Sequence, residues 1–275
     1  MKIAVYQART GIDPDANARD LVGAVAQAAE GGAAMLFTPE MSGLLDRDRD
    51  RAQRHLRSET EDPVLAAVRE AARRHGLWVH LGSLALTDPD GDGRLVNRGF
   101  VIDGEGAIRA RYDKIHLFDV DLPTGESWRE SAAYRPGERA VVVDTPAGRL
   151  GLSVCYDLRF PDLYRALTNA GATVLAIPAA FTVPTGQAHW HVLLRARAIE
   201  AGVHVVAAAQ CGRHEDGRET YGHSLVVDPW GHILLDAEGE NGVFHAEIDP
   251  ARVNEVRRRV PAIAHRRRIG DPELY

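Results

Sequence analysis

The sequence predicts an α/β protein, one domain in which large β-sheets are covered by helices. Three observations point there. Short apolar runs alternate with amphipathic helical stretches in both halves of the chain. Hairpin turns are inserted between some of these runs. No stretch rich in Pro, Gly or Ser divides the 275 residues. That length suffices for a sizeable core. A hydrophobic content of 45% and a charged content of 26% are ordinary for a soluble globular protein. The net charge of −6 argues against nucleic acid as a partner. The basic cluster Arg257–Arg259 with Arg266–Arg268 reads as a solvated helix face and tail. No apolar run approaches the ~18 residues of a membrane span. Met1–Ala8 reads as a strand rather than a signal peptide. Two cysteines, Cys155 and Cys211, make no disulfide framework and suit a reducing compartment, so a cytoplasmic location is expected.

Taken in order, Ile3–Tyr6 reads as the first strand. Asp13-Pro14 opens a helix with Leu21, Val22, Val25, Ala28 and Ala29 at helical spacing, and Gly31-Gly32 stops it. Ala33–Phe37 is a short buried strand ending at Thr38-Pro39-Glu40. Asp62-Pro63 pairs an N-cap with a proline at the first helical position, and that helix ends near Gly76. Leu77–Leu86 and Asn97–Ile102 are strands. Asp88–Gly93 between them has calcium-loop spacing, but Gly99 stands where the bidentate glutamate belongs, so a hairpin turn is expected. After the turn Gly104–Gly106, Ile108–Tyr112 is a strand that delivers Asp113-Lys114. Ile115–Pro136 is a long segment of little periodicity, a length often reserved for function. Val141–Val143 and Leu150–Val154 are strands around a turn at Pro146–Gly148. Leu163–Ala170 is helical, Thr173–Ile177 a strand, Gln187–Ala201 a helix and Val203–Ala209 a buried strand. Ser224–Val227 and Ile233–Asp236 flank the turn Asp228–Gly231. Val243–Ile248 is the last strand, and Asp249-Pro250 starts a closing helix to about Arg259.

Within this pattern three strands end in reactive side chains: Glu40, Lys114 and Cys155. Ligands bind beyond the C-terminal ends of strands in open α/β sheets. The run Gly151–Asp162 ends an apolar strand in a thiol and meets Pro161, suited to a helix start. A thiol near the positive end of a helix has a lowered pKa and becomes a nucleophile. A carboxylate in an apolar pocket, its pKa raised by burial, can take the thiol proton. An ammonium can hold an oxyanion, with the backbone N–H of Tyr156 as second donor. A Cys/His pairing is the weaker reading, since none of the twelve histidines ends a strand comparably, although His189, His191 and His223 stand out. His189-x-His191 also suggests a metal pair. Residues two apart on a helix point to different faces, so no metal and no cofactor is expected.

These residues resemble the signatures of the nitrilase (carbon–nitrogen hydrolase) superfamily. The resemblance rests on Thr38–Glu40, Tyr112–Asp119 and Ser153–Pro161. It continues through Pro178–Thr182, Thr185-Gly186, Ala188–Trp190, Arg195–Glu200, Gly222–Ser224 and Val226–Gly231, covering nearly the whole chain. It implies a four-layer αββα sandwich, two mixed β-sheets between helix layers, as one domain over residues 1–275. It implies pairing with a second copy into a homodimer or higher oligomer. It carries a Glu–Lys–Cys triad onto Glu40, Lys114 and Cys155. The family's second acid falls on Glu130, sixteen residues past the lysine, with Glu126 a nearby decoy. Phe181 and Thr182 fall on the loop expected to line the substrate pocket. His191 is a departure, because the family commonly has glutamate there.

The resemblance further implies amide hydrolysis through a thioester, with water as co-substrate and no membrane partner. The run Cys155–Pro161, with Phe118–Asp121 and Tyr221–Ser224, looks most like the branch of deaminated-glutathione amidases and ω-amidases. Both cut a γ-amide beside a carboxylate, so a cation is expected in the pocket. Arg159 is the candidate; its alternative role is a salt bridge with Asp157 or Asp162. The form of the segment at Tyr221 favours the deaminated-glutathione branch over ω-amidase, with a nitrilase third. A non-catalytic binding protein that kept the fold is the reading of a different class.

Overall fold

The computed structural model describes residues 1–89, 91–121, 125 and 127–274. In chain order the strands are β1 (Lys2–Gln7), β2 (Met35–Phe37), β3 (Trp78–Thr87), β4 (Leu95–Ile102), β5 (Ile108–Asp113), β6 (Asp119–Asp121), β7 (Ser127–Arg129), β8 (Val142–Thr145), β9 (Gly148–Leu152), β10 (Val174–Ala176), β11 (His204–Ala207), β12 (Cys211–Arg213), β13 (Glu219–Tyr221), β14 (Leu225–Val227), β15 (Ile233–Asp236) and β16 (Gly242–Glu247). The helices are α1 (Pro14–Glu30), α2 (Arg49–Gln53), α3 (Pro63–His75), α4 (Pro161–Asn169), α5 (Val183–Ala201) and α6 (Pro250–Arg259).

The strands form two six-stranded sheets, ordered β16-β1-β2-β3-β4-β5 and β15-β14-β11-β10-β9-β8. Both follow one plan. Three parallel strands lie inside each sheet, β1-β2-β3 in one and β9-β10-β11 in the other. Their neighbours pair antiparallel. A parallel pair needs a long crossover, and α1, α3, α4 and α5 occupy those connections. Alternation along the strands then builds four layers. Ile3, Val5, Met35 and Phe37 of the first sheet join the core shared with the second sheet, α4 and α5. Ala4, Tyr6 and Leu36, one residue out of phase, pack with Leu21, Val25, Leu65 and Val68 of α1 and α3. The result is the αββα sandwich.

Local chemistry fixes the helix ends as expected. The Asp13, Asp62 and Asp249 carboxylates accept from Asp15, Leu65 and Ala251 N–H at 3.0, 2.7 and 2.9 Å, each followed by proline at the helix start. The turn at 88–93 joins β3 to β4 as a hairpin, with Asp90 outside the described residues. Other elements differ from the sequence reading. The segment 115–136 is not without regular structure: β6 and β7 pair as a ribbon and Glu130–Ala132 forms a 3-10 turn. Glu126 lies outside the described residues. Helix α5 starts four residues before Gln187, because Pro184 suits its first turn. The ribbon β12–β13 and the short α2 had carried no periodic signal. The C-terminal arginines are not simply a solvated face. Arg257 donates to the Ala172 and Ala201 carbonyls, tying α6 to the ends of two neighbouring elements. Among the described residues, no helix is long and apolar enough to cross a membrane.

Candidate active site

The C-terminal ends of β2, β5 and β9 converge. Glu40 sits in the turn after β2, 4% exposed. That turn lies so close to β3 that a Cβ on Gly82 would stand 2.2 Å from the Thr38 carbonyl and 2.4 Å from that of Pro39. Only glycine permits the approach. Buried Thr38 accepts from the Gly82 N–H at 3.0 Å, and the Gln210 amide holds the Glu40 carbonyl at 2.9 Å. Lys114 follows β5 and is 2% exposed. Its ammonium donates to Glu40 Oε1 at 2.9 Å and to Glu130 Oε2 at 2.8 Å. Glu130 is brought there by the 3-10 turn after β7, and its Oε2 also accepts from Phe118 N–H at 2.7 Å. Buried charge is tolerable only when paired and hydrogen-bonded, and here both carboxylates close on one lysine.

Cys155 lies across from them, 7% exposed. It opens a 3-10 turn, Cys155–Arg159, that separates it from α4. The sequence reading placed it at a strand end, in the turn leading to that helix. Its φ is +50°, a left-handed conformation uncommon outside glycine. Its N–H donates to the Pro178 carbonyl at 2.8 Å. The thiol feels the charge of the Glu40 carboxylate, which makes it harder to ionise.

The electrostatics reverse two expectations. Burial pushes the Cys155 thiol well above its ordinary range, and the Glu40 charge adds to this; Lys114 opposes it without prevailing. The thiol pKa is therefore raised, not lowered. Burial alone would raise Glu40, but the Lys114 charge and hydrogen bonds from Cys155, Lys114 and Asn97 outweigh it, so its carboxyl is held below the ordinary value. Burial likewise works against charged Lys114, yet Glu130 and Glu40 hold its pKa well up. These directions favour a neutral thiol, an ionised Glu40 carboxylate and a charged Lys114 beside them.

Four groups that the sequence reading did not place in the centre complete it. Asn97, in β4, donates to Glu40 Oε1 at 3.0 Å and to Glu130 Oε1 at 3.2 Å. A buried asparagine in the run Leu95–Ile102 was its only signal. The Ala180 N–H donates to Glu40 Oε2 at 3.0 Å. Asp157, fully buried, accepts from Tyr112 OH at 2.7 Å, Val154 N–H at 2.9 Å and His116 N–H at 3.0 Å, with His116 Nδ1 at 2.7 Å. It joins the lysine-bearing segment to the cysteine turn. Gln210 is the fourth, beneath Glu40.

The expected substrate-contacting residues form one wall. Tyr156 follows Cys155, and its ring packs edge-on against Phe118 and Phe160, with centroids at 5.1 and 5.3 Å. The half-buried Arg159 guanidinium lies 5.9 Å from the Tyr156 ring and 5.6 Å from the Phe181 ring. Phe181 rests on Trp190 at 4.7 Å. Thr182 precedes α5, with its hydroxyl 2.8 Å from that of Thr185. Arg159 does not take its structural alternative: Asp157 is engaged elsewhere, and among the described residues no carboxylate lies within ion-pair distance of Arg159. Its Nη1 lies 3.3 Å from His189 Nδ1. His191, two residues on, turns away toward Asp236 at 3.0 Å, as spacing on a helix requires.

Known proteins resemble this chain in sequence and fold. The family profile "Carbon-nitrogen hydrolase" matches residues 2–258. A deaminated glutathione amidase of Yersinia enterocolitica is 41% identical over 240 residues, covering 87% of this chain and 84% of that protein. The crystal structure of the C. elegans NitFhit protein superposes with a TM-score of 0.89 at 39% identity, covering 97% of this chain; the chain spans 65% of that one's length. An amidase from Nesterenkonia sp. AN1, solved after Michael addition of acrylamide at its active site cysteine, gives a TM-score of 0.78 at 28% identity over 95% of this chain and 98% of that one. The chain belongs to the carbon–nitrogen hydrolase family.

Proposed function

We propose that this protein is an amidase that opens the γ-amide of deaminated glutathione through a thioester on Cys155, as a single domain over 1–275. The observation that carries the chemistry is the buried Glu40 carboxylate, held by Lys114 at 2.9 Å, Asn97 at 3.0 Å and the Ala180 N–H at 3.0 Å, whose charge acts on the Cys155 thiol. Glu40 takes the thiol proton as sulfur attacks the amide carbon. Lys114 and the Tyr156 N–H hold the oxyanion that forms. The tetrahedral adduct collapses, the C–N bond breaks, and protonated Glu40 gives its proton to the leaving nitrogen. Water then attacks the thioester, with Glu40 again accepting a proton, and the thiol is restored. Glu130 and Asn97 keep Lys114 and Glu40 in place throughout.

Substrate choice rests on the wall beside the thiol and on the Yersinia relative's name. Arg159 supplies a guanidinium with no competing carboxylate among the described residues, suited to a substrate carboxylate. Phe181 and Tyr156 flank it with apolar surface. Part of the same reading is a homodimer. It is supported by the exposed apolar side chains Val192 and Ile199 on α5 and Ile233 and Leu234 on the edge strand β15. The test is a side-by-side assay on deaminated glutathione, 2-oxoglutaramate and an aliphatic nitrile. Deaminated glutathione should have the highest kcat/KM. Preference for 2-oxoglutaramate would move the protein to the ω-amidases, and turnover of the nitrile alone would overturn both amidase readings.

A further inference from the structure

A second cluster of reactive side chains stands apart from the cysteine centre and is not used by its chemistry. It is built from three elements: His191 from α5, His223 from the loop before β14, and Asp236 at the end of β15. Asp236 divides its oxygens between the two imidazoles. Oδ2 lies 3.0 Å from His191 Nε2 and Oδ1 lies 2.8 Å from His223 Nδ1. The three potential ligand atoms all lie within 4.8 Å of one another.

The support around them is firm. Tyr221 stacks on the His223 ring, centroids 4.4 Å apart and planes at 24°. The His223 carbonyl accepts from the buried Trp190 indole at 2.7 Å, and its N–H donates to the Glu238 carbonyl at 2.6 Å. His223 itself has φ +54°, a conformation that a histidine keeps only when its surroundings impose it. The Glu238 N–H donates to Asp236 Oδ1 at 2.9 Å, orienting the carboxylate. The side chains of His191, His223 and Asp236 are 29%, 26% and 28% exposed, so a solvent-borne ion can reach them.

We propose that His191, His223 and Asp236 form a divalent transition-metal site of the zinc class, completed by water. Two imidazole nitrogens and one carboxylate oxygen suit Zn²⁺, whereas calcium and magnesium prefer all-oxygen sets. Tetrahedral bonds of about 2.0–2.2 Å put neighbouring donors roughly 3.4 Å apart. Each imidazole nitrogen is already that close to one Asp236 oxygen, His191 to Oδ2 and His223 to Oδ1. All three donors lie within 4.8 Å of one another, so a small turn of the rings and the carboxylate brings them onto one ion. The ion would take the place of the hydrogen bonds that now link the rings to Asp236. It would clasp α5 to the edge strand β15, next to the segment where the Tyr221 N–H donates to the Phe181 carbonyl. The site is independent of how the cysteine centre is read.

Cobalt(II) titration of the metal-free full-length protein tests this directly. The expected result is one Co²⁺ per chain with tetrahedral d–d absorption and no sulfur-to-cobalt charge-transfer band. His191→Ala and Asp236→Asn should each weaken binding by about 100-fold or more, with unchanged circular dichroism. Three results would overturn the site: no saturable absorption up to millimolar Co²⁺, the same affinity in both variants, or a thiolate band placing the ion on Cys155 or Cys211.

Discussion

The two halves of the molecule have the same sheet plan and contribute opposite things to the centre. The first-sheet half supplies the polar machinery: Glu40 after β2, Asn97 within β4, Lys114 after β5 and Glu130 beyond it. The second-sheet half supplies the thiol, the Ala180 N–H and the apolar wall. In the proposed mechanism neither set suffices alone. The thiol, pushed up by burial, needs a base from the other half. Glu40 is ionised at neutral pH because Lys114 offsets its burial. Reactivity belongs to the junction, and Asp157 latches that junction by holding Tyr112 and His116 from one side and Val154 from the other.

Removing the proposed nucleophile from the second half should have the largest effect. Cys155→Ala should lower kcat by about 10⁴-fold or more while the protein still folds, checked by steady-state assay and circular dichroism. Breaking the latch should cost both stability and activity. Asp157→Ala leaves buried donors in each half without their acceptor, and should destabilise by about 3 kcal/mol, read as a urea midpoint shift. An Asp157→Ala protein as stable as the parent would remove the latch from the account. The smallest effect tests the first sheet alone. Burial holds His80 in β3 at a pKa of about 3, below its ordinary 6.5. The unfolded chain then binds a proton that the folded protein refuses, so stability is full above pH 6.5 and declines as pH falls toward 3. Between pH 7 and 5 this one histidine should account for a loss of about 2 kcal/mol. His80→Leu should show a correspondingly flatter dependence.

How far the chain itself revealed this centre follows from where each group sits. Glu40, Lys114 and Cys155 were legible because each interrupts an apolar run at its end, where polarity has no packing reason. The helix starts were legible because Asp-Pro is a local signal. Asn97 was not, since one polar residue inside a strand fits ordinary sheet alternation. Asp157 entered only as one of two alternative counterions for Arg159, because its true partners, Tyr112 and His116, are more than forty residues away. The Ala180 N–H carries no side-chain signal at all. The fold class was legible from periodicity. The pairing of β16 with β1, which closes the first sheet across the length of the chain, had no local trace. The thiol's raised pKa depends on burial and on Glu40 together, and only folding supplies both.

The central claim is that Glu40 is the base for Cys155, and the pH dependence of Cys155 alkylation by iodoacetamide tests it most directly. With the carboxylate ionised below its ordinary range and the thiol held protonated well above its own, the rate should stay nearly flat from about pH 5.5 to 8.5. In Glu40→Gln it should fall steeply at neutral pH and climb about tenfold per pH unit. A parent protein whose rate already climbs tenfold per unit, or a Glu40→Gln variant that alkylates as fast as the parent, would contradict the account.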